Sequence, residues 1–152
     1  MGRLVARLAL SLLILVAGCA RRGSTVFTGT PIGPHGGPTV VLPGGAGVGE
    51  VVIEVVPGGS GSKQDDQVVA YFLTSDLKAV AASLPSDVSV KLEFPDRAAE
   101  TIALSAESKA DDATGSARFA SAPGSFPVDF PVGELSGKVN GQSFKLKFAG
   151  TR

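Results

Sequence analysis

Apolar positions along this chain recur mostly at a spacing of two, in runs too short for a core helix. The cleanest case is residues 88–94, where Val88, Val90, Leu92 and Phe94 alternate with Ser89, Lys91 and Glu93. That pattern belongs to a strand with one face on the core and one in water. Ile102 and Leu104 carry it through residues 100–106, and Ala117, Phe119 and Ser121 through residues 116–122. Phe126, Val128 and Phe130 alternate between Pro123-Gly124 and Pro131. Flanking prolines predict an edge segment there, because proline cannot donate to a ladder. Residues 50–56 (EVVIEVV) and 67–74 (QVVAYFLT) are denser and less regular, and the polar stretch between them predicts a hairpin. The blurred alternation of 50–56 predicts a strand covered on both faces. Residues 39–42 (TVVL), closed by Pro43 and a glycine-rich turn, add a short first strand.

The clearest hairpin comes last. Asn140-Gly141 separates residues 135–139 from 142–148, and that pair favours a two-residue type I′ turn. Phe144, Leu146 and Phe148 then face the core, with Lys145 and Lys147 in water. Residues 75–84 fit two readings. Ser75 or Asp76 caps a helix carrying Leu77, Val80, Ala81 and Leu84 on one face, or the stretch is an irregular connection that drops Val80 into the core. Seven or eight short strands at this spacing predict an all-β chain. The expected fold is a single small β-sandwich, Ig-like, over residues 38–152, with a β-barrel as the alternative.

The pattern upstream is different. Arg3 and Arg7 precede an apolar run at residues 8–16, interrupted only by Ser11. This suits the hydrophobic region of an export signal and is shorter than the roughly 20 residues that span a bilayer. The run ends in Val16-Ala17-Gly18-Cys19, which resembles the bacterial lipobox. That resemblance implies cleavage after Gly18 and a diacylglycerol on the Cys19 thiol, with an acyl chain on the new amino group. Residues 1–18 are then a lipoprotein signal peptide. Ala20 follows the cysteine in place of aspartate, which favours the outer membrane over the inner. Residues 19–37, rich in glycine and proline, read as the lipidated cysteine and a flexible tether.

Composition narrows the chemistry. Fourteen basic and fourteen acidic residues balance, and loss of Arg3 and Arg7 leaves twelve basic ones. No clustered basic face predicts a nucleic-acid partner. Cys19 is the only cysteine, so no disulfide is expected and the core alone must hold the domain. With eight Phe, one Tyr and no Trp, that core is built from Val, Leu, Ile and Phe.

Catalytic patterns fail on inspection. Residues 44–49 have the glycine spacing of a phosphate loop, but Glu50 and Val51 stand where the lysine and hydroxyl are needed. No G-x-S-x-G elbow occurs, and His35, the only histidine, lies in the Pro/Gly-rich stretch. Asp65-Asp66 and Asp111-Asp112 are neighbours in polar loops, where carboxylates are solvated. The reading is therefore non-enzymatic. Soft-metal sites want several sulfur or imidazole ligands. With one His and no free thiol after lipidation, no autonomous copper or zinc site is expected. Any metal binding would join His35 to Glu50, Glu54 or the acidic loops.

A resemblance sharpens that last point. The sequence Pro34-His35-Gly36-Gly37 is followed by EVVIEV from Glu50, VVAYFLTSD from Val68, Ser116-Ala117-Arg118-Phe119, and the segment 133–144. Over residues 34–150 the run resembles small exported bacterial lipoproteins that open with His-Gly-Gly. It is also similar to a β-rich domain of some periplasmic adaptor proteins of heavy-metal efflux pumps. Members often carry Tyr-His-x-Glu in the second strand. Here Val51-Val52-Ile53-Glu54 keeps the glutamate and lacks the histidine. The resemblance implies metal ligands only at His35 and Glu54. The expected function is a lipid-anchored envelope protein facing the periplasm, whose sandwich serves as an interaction or ligand-binding module for an envelope partner. The alternative is an accessory metal-binding protein of heavy-metal efflux. No cofactor is expected beyond the lipid on Cys19.

Overall fold

Alternation in the sequence becomes nine strands in the computed structural model, which describes residues 30–56, 65–107, 117–126 and 131–150. The strands are β1 Thr39–Val41, β2 Val48–Val56, β3 Asp65–Leu73, β4 Ser86–Glu93, β5 Glu100–Ala103, β6 Ser105–Glu107, β7 Ala117–Ala120, β8 Val132–Val139 and β9 Gln142–Ala149. Cys19, the Val16-Ala17-Gly18 motif, and Val128 with Phe130 lie outside the described residues.

Two antiparallel sheets form, ordered β1-β2-β3-β7-β6 and β5-β4-β8-β9. They are not closed into a barrel and make a β-sandwich. Val51, Val68, Ala70, Phe72 and Phe119 face inward from the first sheet. Val88, Val90, Leu92, Ile102, Leu135, Phe144 and Phe148 meet them from the second. Phe72 and Phe119 pack edge to face with centroids 5.2 Å apart, a geometry that aromatic quadrupoles favour.

The last hairpin forms as its sequence predicts. Asn140 and Gly141 both have positive φ, 51° and 77°, the requirement of a type I′ turn. A Cβ at Gly141 would sit in this left-handed region without touching anything. Gly141→Ala is thus expected to cost about 1–2 kcal/mol, read as a lower urea midpoint with an unchanged slope.

Two readings need correction. Residues 100–106 are two strands: β5 ends in the second sheet and β6 starts in the first, with buried Leu104 at the crossing. Residues 75–84 are not a helix. The chain wraps around Thr74, whose N–H reaches the Ala79 carbonyl while its hydroxyl meets Asp76. Leu77 takes φ 62°, outside the helical region. Ala81 enters the core, while Val80 stays 37% exposed in a bridge to Leu73.

Candidate functional site

Strand register brings one row of polar side chains together on the outer face of the five-stranded sheet. Thr39, Glu50, Tyr71, Arg118 and Glu107 are successive cross-strand partners on β1, β2, β3, β7 and β6. Beneath them lies a small apolar patch of Val52, Val69, Ala120 and the Tyr71 ring. Such an outward face is ordinarily wet. Here Glu50 is fully buried, Arg118 is 2% exposed and Tyr71 is 4% exposed.

The cover over Glu50 is residues 31–38, expected from the sequence to be tether. They form a curled strap. Thr39 donates its N–H and its hydroxyl to the Pro31 carbonyl, and Gly33 donates to the Gly37 carbonyl. Val51 N–H donates to the Pro38 carbonyl, which ties the strap to β2. Residues 31–37, expected as part of a flexible tether over residues 19–37, are thus hydrogen-bonded into the domain, and residues 19–29 lie outside the described residues.

Glu50 holds the strap. Its Oε1 accepts the His35 N–H at 2.8 Å and the Gly37 N–H at 2.9 Å. Its Oε2 meets His35 Nδ1 at 2.8 Å. A carboxylate only accepts, so the hydrogen-bond pattern assigns the proton to Nδ1. The imidazole then stacks on Tyr71, with centroids 3.7 Å apart and planes 10° from parallel. Gly37 is required by close approach, because a Cβ there would overlap the Val51 carbonyl. The His-Gly-Gly motif is thus a shape that fits a buried glutamate.

Beyond Tyr71 the network continues. The phenol donates to Glu54. Arg118 donates to Glu107 through Nη1, and through Nη2 to Glu54 at 3.0 Å and Gln67 at 3.2 Å. Gln67 in turn donates to the Ser121 carbonyl. Burial works against the Arg118 charge, but Glu54, Tyr71 and Glu107 outweigh it and hold the guanidinium above its ordinary pKa. Burial raises the Tyr71 phenol well above its usual value, and Glu54 adds to the shift, with Arg118 opposing it.

That shift has a measurable sign. A raised folded-state pKa means stability that is complete below the unfolded value, about 10, and is lost as pH rises beyond it. Tyr71 is the only tyrosine. Phenolate absorbance is therefore expected to stay silent past pH 10 in the folded protein and to rise together with unfolding. A reversible native titration near pH 10 would contradict the network.

The two residues carried over as metal ligands each hold other partners. His35 belongs to Glu50, and Glu54 to Tyr71 and Arg118. An arginine on the Glu54 carboxylate opposes a cation at the same place. No group of three or more His, Cys, Asp or Glu that could hold a metal ion occurs among the described residues. No protein-family model, curated protein or solved structure matches the chain. Sequence reasoning missed Tyr71, Arg118, Gln67 and Glu107, and weighed Glu50 only as one possible partner of His35. One signal was available: Glu50 and Glu54 are the only charged residues in apolar β2, and a buried carboxylate needs donors.

Proposed function

We propose that this protein is a lipid-anchored envelope protein whose β-sandwich is a non-catalytic interaction or ligand-binding module, mounted on its anchor through the strap. The observation that carries the reading is the Glu50 clasp. Three donors from the strap converge on one buried carboxylate, so His35 and Gly37 are fixed to the sheet. The polar groups of this face bind one another, and that supports a structural role for His35 over a catalytic one.

The anchor is tested in a bacterial host. Wild-type chain should incorporate labelled palmitate and sediment with membranes, and Cys19→Ser should do neither. Globomycin should accumulate the uncleaved precursor. Unlabelled, fully soluble wild-type protein would refute the lipid anchor. Titration with copper, zinc, cobalt and nickel addresses the metal-accessory alternative. No heat and no thermal shift are expected, and tight binding lost in His35→Ala would replace this reading with that one.

A further inference from the structure

At the side of the sandwich where the chain crosses from β5 to β6, the two sheets leave a groove of about 560 Å³. One wall is β5, the edge of its sheet. The other is the extended segment 121–126, bound to β3 through the Asp66–Gly124 bridge and the Ser121 N–H to the Val68 carbonyl. Buried Ile102 and Phe126 form an apolar floor. Arg97 lines the groove. Its guanidinium lies 3.8 Å from the Phe94 ring centroid and donates to the Ser125 carbonyl at 3.3 Å. Glu100 touches it only at 3.9 Å.

The backbone of β5 is arranged to accept another strand. Leu104 donates its N–H to the Val88 carbonyl. Antiparallel alternation then turns the polar backbone groups of Glu100 and Ile102 toward β4, and those of Thr101 and Ala103 toward the side on which no described strand pairs with β5. β5 is four residues long, so it offers roughly 13 Å of edge.

We propose that this groove binds an extended peptide segment of a partner protein by strand addition to β5, with an acidic side chain of that segment on Arg97. The proposal rests on the reading of the sandwich as an interaction module and names its site and partner class. Backbone bonds to Thr101 and Ala103 supply affinity that is indifferent to sequence, and pockets or charges beside the edge supply selectivity. Ile102 and Phe126 receive an apolar side chain. Arg97 presents a guanidinium fork that matches a carboxylate. Its stacking on Phe94 holds that fork beside the edge before a ligand arrives.

The test uses the full chain, isotopically labelled and purified in detergent. The probe is a blocked hexapeptide of alternating valine and threonine with one central aspartate, beside a counterpart with lysine in its place. Amide signals of Thr101, Ala103 and Arg97 should move with the acidic peptide. Affinity for the lysine peptide should be lower by about tenfold or more. Ala103→Pro removes an N–H that points away from β4, so the fold should persist while binding is lost. Arg97→Glu should reverse the preference between the peptides, and it carries the test if the proline variant fails to fold. Absent shifts at millimolar peptide, equal affinity for both peptides, or shifts confined to another edge would overturn the proposal. Those results would leave the anchored-module reading intact, because lipidation and membrane sedimentation test it independently.

Discussion

Glu50→Ala is expected to destabilise the protein by about 3–5 kcal/mol, the usual effect of removing one partner from a buried ion-paired or charge-assisted contact. The carboxylate is fully buried, and its loss leaves the His35 and Gly37 N–H groups and the imidazole without their acceptor. Each stranded donor alone costs about 1–3 kcal/mol. The melting temperature should fall by on the order of 10–20 °C. Urea unfolding followed by circular dichroism measures the total. Tyrosine fluorescence isolates the strap, since the chain has one Tyr and no Trp and that Tyr71 ring lies under the imidazole. Glu50→Gln keeps one acceptor oxygen and should fall between the two. A loss below about 1 kcal/mol in Glu50→Ala, within the range of an exposed ion pair, would show that the strap is held by something else.

Arg118→Ala is the second large effect, at about 3 kcal/mol or more. Glu54 and Gln67 would lose their shared donor, and a long aliphatic stem would leave the apolar patch on which it lies. Glu107 is partly exposed and can return to water, which limits the loss. A double-mutant cycle apportions the network. Arg118→Met combined with Glu54→Gln should recover much of the stability lost in Arg118→Ala, because an apolar stem restores packing without an unpaired charge. Coupling between Arg118 and Glu54 should reach about 1–3 kcal/mol. Strict additivity would show that the two side chains act independently.

The sandwich was readable because alternation alone decides which residues point inward. Val90, Leu92, Phe144 and Phe148 all fall on the core side, and Asn140-Gly141 sets the register of β8 and β9. The outer network was not readable by the same rule. Phe119 inward puts Arg118 outward, and outward normally means solvent. Only tertiary structure shows that this outward face is covered. The strap escaped for a related reason. Its glycines and prolines give it no periodicity, and its order comes from contacts fifteen residues away in β2. The split at Leu104 was hidden because β5 and β6 share one unbroken alternation while pairing in different sheets.

The strap also sets the end of the domain at which the chain enters from Cys19. The described chain starts at Thr30, whose hydroxyl accepts the Ala149 N–H. Ten residues separate Cys19 from Thr30, a distance of at most roughly 36 Å. The chain therefore enters the sandwich at the rim holding Ala149, Val132 and Glu93, which the proposed lipid on Cys19 would tie to the membrane. Arg97 and Glu100 follow Glu93 on the same rim. The Asn140-Gly141 tip lies at the other end of β8 and β9, away from this entry point. On the proposed anchor, the groove beside β5 opens at the rim from which the chain leads back to Cys19, and that placement favours a partner segment running close to the bilayer.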